Sequence, residues 1–442
     1  LTGDTTFAGR YVTTGARWGI TAINANGYNI TFVNSSGLSW AVSTAGNAQN
    51  VRDIYIEQAH VYADSTYFGD DNYSIIIEAS KPGATLFRGE LRRYSSSGTI
   101  TKKITLNGGI VQYEGEPTGG LVPRTFTLAG QVTLMDNNSI AANRINSANI
   151  SRDIKITGKI TGTGGFEYQG STGTYNYNGT TPTDRYSVLT LTNSANDFTG
   201  AVNLIRGVIR MSDGSANGSL GASSNAFNFT TAANISVLDL FGTNQSIGAL
   251  NGTSATNHFV QNNRTSTTAT LSVGNGDANG SFAGVLRDYG ALPAGNASMN
   301  ESTYTGDGAT GAKLALVKTG AGTQVLTGVS TFSGGTVVNG GVLQVGTGNT
   351  GQSTATLGAD GFTVNSGGTL AGNGSVGVAG TLNVVNVGGT LAPGTSTETG
   401  AQHLDIYGGL TSSGTLGFEL LSVTLGAGSA SNSNSLKFFS DV

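Results

Sequence analysis

Residues 313–345 read KLALVKTGAGTQVLTGVSTFSGGTVVNGGVLQV. Leu314, Leu316, Val325, Leu326, Phe332, Val337, Val338, Leu343 and Val345 come in short runs separated by Thr-Gly, Ser-Gly-Gly and Asn-Gly-Gly. A helix would need apolar positions every three to four residues, and this stretch has none of that period. Alternation over four to six residues, bounded by glycine and asparagine, specifies short strands joined by tight corners.

The same pattern extends outward. KITLNGGIVQY (103–113), FTLAGQVTL (126–134) and DIKITGKITGTGGF (153–166) each place Thr-, Val-, Ile- or Leu-rich strands between glycine corners. A larger block recurs. Phe198 and Gly207-Val-Ile-Arg-Met211 match Phe332 and Gly341-Val-Leu-Gln-Val345 at one offset of 134 (332 − 198 and 341 − 207). Leu220-Gly-Ala222 matches Leu357-Gly-Ala359 at 137 (357 − 220). VLDLFGTNQSIGALNG (237–252) and LSVGNGDANGSFAGVL (271–286) look like further pieces, and Gly-Thr-Leu returns at 368–370, 380–382, 389–391 and 414–416. Like segments recurring in the same order stack like on like, which gives parallel strands wound into a coil. The expected fold is all-β, a right-handed parallel β-helix (β-solenoid) forming an elongated rod. Apolar residues fill its interior, Thr, Ser and Asn cover the outside, and Asn or Ser at inward corners form ladders. A coil of about 20 residues would give on the order of 20 coils and a rod of about 100 Å. Immunoglobulin-like sandwiches would need turns every 8–12 residues and clear linkers, and no Pro-rich or charged linker is present.

The segments LVKTG (316–320), LTG (326–328), TFSGGT (331–336) and GGVLQV (340–345) resemble the autotransporter-associated β-strand repeat of bacterial secreted passenger proteins. The resemblance extends over roughly residues 150–420 and is thin over 1–100. It implies a bacterial protein exported to the cell surface or beyond, of the kind that forms stalks, adhesins or surface-layer material.

Composition agrees. Among 442 residues there are 69 glycines, 6 prolines and no cysteine, and only 11% of residues are charged. Disulfides and thiolate metal sites are therefore excluded. The net charge of −4, without a basic run interleaved with aromatics, speaks against nucleic acid as a partner. No run of 18 apolar residues is present, so a membrane would be reached only through a part of the protein outside this chain. Leu1 in place of Met fits a processed protein, and the chain is expected to continue beyond 442. Residues 1–100 are the least repetitive, hold both tryptophans (Trp18 and Trp40) and are read as an atypical N-terminal cap or opening coils; residues 101–442 are read as the repeat-bearing β-helix. Strand candidates in the first segment are 28–33, 53–61, 74–78 and 84–87.

Candidate chemical sites are few. His60, His258 and His403 lie far apart in sequence with no partner at a recognisable spacing. Asp53 and Glu57 share one strand face about 13 Å apart, too far for a glycosidase pair, which needs roughly 5–9.5 Å. Glu114 and Glu116 would lie about 6.6 Å apart on a strand, but Gly115 and Pro117 mark a loop. Asp64, Asp70 and Asp71 form an oxygen-rich loop with the chemistry of a Ca²⁺ site and read first as a solvated loop. GNGDANG (274–280) occurs once and reads as a corner. Asn-x-Ser/Thr triplets, as at 29–31 and 149–151, are chance products of composition. No catalytic, cofactor-binding or metal-binding residue is assigned and no cofactor is implied. The function expected is extracellular, structural or adhesive, with self-association into a homo-oligomer or filament and a host-surface or glycan ligand. The alternative is a polysaccharide-acting β-helix enzyme, a lyase or tailspike-like depolymerase. It would show Asp, Glu, Arg or Lys on successive coils, and only the N-terminal 100 residues have the charge for that.

Overall fold

Ile30, Ile54, Ile75, Ile104, Val132 and Ile160 lie side by side on six neighbouring parallel strands in a computed structural model of the chain. All six are buried. The structure describes residues 1–8, 18–20, 23–33, 39–42, 48–63, 68, 71–79, 88–94, 97–114, 124–136, 144–147, 152–170, 172–175, 183–289, 310–346, 355–358, 361–377, 384–394, 403–417 and 435–439. They divide into two compact units, one drawn from residues 1–222 and the other from residues 223–442.

In the first unit the chain visits three sheets in rotation. Ser74–Glu78, Glu90–Tyr94 and Gly98–Ile100 are followed by Lys103–Asn107, Ile110–Glu114 and Arg124–Leu128, and then by Val132–Leu134, Arg144–Ser147 and Arg152–Ile156. Each strand pairs in parallel with its counterpart one round later. The first hundred residues follow the same rule. Thr5–Ala8 pairs with Ile30–Val33 and that strand with Ile54–Glu57, while Trp18 pairs with Trp40 through the backbone. The nine-residue strand Val202–Arg210 belongs to two sheets. Its first half pairs with Phe166–Gln169 and its second with Val188–Leu191. Thr172–Tyr175 and Thr183–Tyr186 form an antiparallel pair, inserted between two members of the rotation.

The second unit repeats the scheme. Lys313–Lys318, Thr336–Val338, Phe362–Val364, Val384–Val387 and Gly409–Ser412 run parallel in one sheet. Thr323–Leu326, Gly341–Val345, Gly368–Gly372, Thr390–Pro393 and Thr415–Leu416 run parallel in the next. Leu370, Leu391 and Leu416 from three of the Gly-Thr-Leu triplets stack in one column; the triplet at 380–382 lies outside the described residues, as does the strand candidate 84–87. Among the described residues there is no α-helix, only the 3-10 turn Asn275–Asp277.

Strands form here because alternation puts one side chain in two on the inner face. Ser74–Glu78 (SIIIE) buries Ile75 and Ile77 and leaves Ile76 half-buried. Stacking follows because a parallel partner offers every backbone N–H and C=O a mate. Burying an isoleucine at each level contributes about 1.5–3 kcal/mol. One expectation is corrected. Ile75 to Ile104 and Ile104 to Val132 are steps of 29 and 28 residues (104 − 75 and 132 − 104), whereas Leu316 to Thr336 is 20 (336 − 316). The coil is thus longer than 20 residues in most of the chain, and a count of about 20 coils is too high. Corners vary in length while strands keep register, and a period taken from the tightest repeat misses this.

The corners are held by side chains of Asp and Asn. The Asp4 carboxylate accepts the Asn29 N–H at 2.9 Å, the Asn29 carbonyl oxygen accepts the Asp53 N–H at 3.1 Å, and the Asp53 carboxylate accepts the Ser74 N–H at 2.8 Å. Asn279 does the same for Thr323 N–H at 2.7 Å. Where no side chain is present, coils approach more closely. A Cβ on Gly158 would sit 1.8 Å from the Gly130 carbonyl oxygen. Gly158→Ala is therefore expected to cost about 3 kcal/mol. Gly3→Ala, whose Cβ meets nothing within 4 Å, should stay within about 0.5 kcal/mol of the parent. Urea unfolding of the two variants decides this, and equal midpoints would show that the coils are not in contact there.

Candidate functional site

Several ion pairs gather on the outer positions of one sheet of the first unit. Strand alternation turns Leu91, Val111, Ile145 and Tyr168 inward, where all are buried. The intervening residues lie on the opposite side of the strands, where Ile110 and Gln112 are themselves buried. Register aligns Arg92, Gln112, Asn146 and Gln169 in one outer column, and Glu90, Ile110, Arg144 and Glu167 in the next. His60 precedes Glu90 in that second column.

These side chains bond to one another. Arg92 Nε donates to Glu90 at 2.6 Å and its Nη1 to Glu114 at 2.7 Å. Gln112 Nε2 donates to the same Glu114 oxygen at 2.6 Å, and Asn146 Nδ2 donates to Gln112 Oε1 at 2.6 Å. Arg144 holds Glu167 through Nε at 3.1 Å and Nη2 at 2.8 Å. His60 Nε2 lies 3.6 Å from Glu90 and 3.3 Å from Arg92 Nη2. Burial lowers the His60 pKa, with Glu90 pulling against it and Arg92 adding to it. The imidazole is thus held toward its neutral form. Burial likewise lowers the Arg88 pKa; Arg144 adds to the shift, and Glu167 and Glu90 oppose it. The face thus joins three arginines to three glutamates.

The sequence candidates separate. His60 and Glu114 join this face. His258 is buried in the second unit, stacked on Phe229 at 5.0 Å, with Nδ1 accepting the Ser254 N–H at 3.3 Å and Nε2 3.2 Å from the Thr231 carbonyl. That pattern fits a neutral ring protonated on Nε2, and burial lowers its pKa. His403 lies 3.5 Å from Asp405. Asp53 is a corner acceptor rather than one of a carboxylate pair. Asp71 is exposed, and Asp64, Asp70, Glu116 and the triplet at 149–151 lie outside the described residues. Residues 274–280 make a corner in which Asp277 accepts the Ala321 N–H at 2.7 Å. No group of three His, Asp or Glu able to hold a metal ion occurs among the described residues.

Two interior polar residues were not foreseen. Lys318 sits between Val273 and Val338 in a buried column and is itself 0% exposed. Its ammonium donates to the carbonyls of Thr319 at 2.5 Å, Gly320 at 3.0 Å and Gly340 at 3.1 Å, one acceptor for each proton. Burial pushes its pKa down, against the pull of Asp277. Gln324 pairs with Gly280, and its amide passes on to donate to the Leu250 carbonyl at 3.0 Å and accept the Leu250 N–H at 3.2 Å. The absence of a side chain at Gly280 leaves that path open, since a Cβ there would lie 2.3 Å from the Gln324 Oε1.

Both residues belong to a stretch with a recognised family. The passenger-associated-transport-repeat model matches residues 187–210 and 316–345. The two matched segments share local geometry. Phe198 and Phe332 are fully buried, and Gly207 and Gly341 both take a positive φ, 93° and 61°. The chain is thus one that carries the repeats of autotransporter passenger domains, as its resemblance implied. That family implies secretion to the cell surface or the extracellular space. No curated protein and no solved structure matches the chain.

The histidines set one pH dependence. An unfolded histidine gains a proton near pH 6.5; folded His258 and His60 resist it. The unfolded state then binds more protons, so stability falls as pH drops below 6.5 toward the folded pKa values. Thermal unfolding at pH 7 and pH 5 should show this loss, and His258→Gln should reduce the difference between the two. An unchanged pH difference in the variant would mean that the folded ring takes up a proton as readily as the unfolded one.

Proposed function

We propose that the chain is an extracellular passenger with a structural and adhesive role, built of right-handed parallel β-solenoid coils. The supporting observation is the rotation of the strands through three parallel sheets, with the two matched repeats inside it. Right-handedness rests on general ground, since a crossover between parallel strands of one sheet is right-handed in about 98% of cases. Residues 1–100 are read as opening coils, because their strands pair in parallel with those that follow. Residues 101–442 are read as the repeat-bearing part, and within each unit the described strands pair in parallel from one round to the next. Adhesion follows from repetition. A row of similar outer positions offers many weak contacts at fixed spacing, and their avidity exceeds that of any one of them. Self-association fits the same architecture, because parallel sheets end in unpaired strand edges and a contact that does not close gives filaments.

A second reading, a polysaccharide-acting enzyme, is favoured by one observation: charged residues on successive coils between His60 and Glu167. Against it, each glutamate of that face is held by an arginine. Glycoside hydrolysis needs one carboxyl free to carry a proton and another free to meet water or the sugar.

Electron microscopy of material isolated from cells without refolding tests the main reading. Filaments or sheets with one repeating subunit are the expected result for an assembling structural protein. Separate rods would sink the polymer and leave an adhesin or an enzyme. Globular particles would overturn the solenoid.

A further inference from the structure

We propose that the outer face of residues 90–169 binds a neutral, extended polysaccharide laid across the strands. The inference rests on the adhesive reading above and names its ligand class.

The column Arg92, Gln112, Asn146 and Gln169 repeats one kind of group at each level, a flat guanidinium or carboxamide; Gln112 is buried, with its amide bonded to Glu114 and Asn146, so the groups placed to meet a ligand are those of Arg92, Asn146 and Gln169. Adjacent levels are about 4.8 Å apart, and an extended sugar chain advances by a similar distance per residue. Flat groups suit pairs of neighbouring hydroxyls, the carboxamides through adjacent donor and acceptor and the guanidinium through paired donors. Bonding capacity is left for a ligand. Among the described residues, the second Asn146 amide proton, its carbonyl oxygen, the Arg144 Nη1 and the Gln169 amide have no protein partner. The face is also pre-set. Asn146 is fixed by Gln112, Gln112 by Glu114 and Arg144 by Glu167, so little side-chain freedom is lost on binding.

Charge selects the class of ligand. Arg88, Arg92 and Arg144 are matched by Glu90, Glu114 and Glu167, and His60 is held toward neutral. An anionic polymer gains its affinity from uncompensated cations, and this face has none in excess. A protein partner gains most from aromatic or arginine anchors in dry pockets, whereas here Ile110 is the apolar member of the columns and is buried. A neutral polyhydroxyl chain fits what is left.

Isothermal titration of the full chain with cellohexaose, chitohexaose and mannohexaose, and with hexagalacturonate as the anionic comparison, tests this. At least one neutral probe is expected to bind, with a Kd unaffected by added salt and without being cleaved. Gln112→Ala combined with Asn146→Ala should weaken binding about tenfold. Thr363→Ala, on the second unit, should leave it unchanged, and all variants should keep the parent Tm within a few degrees. No binding by any neutral probe, tighter binding of hexagalacturonate, or full affinity in the double variant at an unchanged Tm would overturn the proposal. Cleavage of a bound probe would overturn passive binding in favour of the enzymatic reading. Because none of these outcomes bears on whether filaments or rods form, failure here is distinguishable from failure of the structural reading.

Discussion

In-register parallel pairing between one coil and the next is the constraint on which the structure depends. A parallel ladder places residue i of one strand beside a fixed partner on the next, and every side chain then faces its counterpart one level away. A slip of one residue would turn Ile75 and Ile77 outward and Ile76 inward. The buried columns forbid such a slip, and with inner positions fixed, the outer positions are fixed as well. This is why Arg144 and Glu167, 23 residues apart, meet as near neighbours.

The constraint also explains what is permitted inside. A charged side chain in a column of valines would cost several kcal/mol if left without partners. Lys318 avoids that cost because the corner beside it presents three carbonyls from two successive levels. Gln324 avoids it by pairing with both backbone groups of Leu250. Both act as ties between levels that side-chain packing alone would leave to weaker contacts. Asp4, Asn29 and Asp53 do similar work at the strand entrances of the first unit, where each takes the N–H of the next level.

How much was legible in the sequence follows from the same geometry. Alternation in SIIIE and KITLN and the recurrence of Gly-Thr-Leu show strands, corners and like-on-like stacking, because those are local or strictly repeated signals. The coil length was not legible from the tightest repeat, because corners in the first unit are longer and irregular. The polar face was missed for a related reason. Along the sequence Asp53 stands near Glu57 and Glu114 near Glu116, whereas the partners that matter are across strands. Arg92 reaches Glu114 over 22 residues and His60 over 32. Nothing in the local pattern marks such pairs until the register is known. Lys318 was in plain view inside the most informative stretch, yet a lysine ending a strand reads as a solvated corner until its column is seen.

Inner and outer positions then answer to different demands. Inner columns are apolar at most levels, and they admit a polar side chain such as Lys318 or Gln324 only where its polar groups are bonded. Outer columns have no such obligation, so charge can gather on one face of the first unit while the matched repeat of the second, residues 316–345, stays almost free of it. Between residues 316 and 345 the one charged side chain is Lys318, and it points inward. Between residues 88 and 167 arginine and glutamate alternate from level to level on one sheet, each sign adjacent to the other. Like charges stacked at this spacing would repel along the whole column. A column of opposite or neutral groups does not, and it leaves a surface whose affinity must come from directional hydrogen bonds rather than from a net field. The proposed recognition of neutral hydroxyl groups rests on the way the ladder tolerates charge at all.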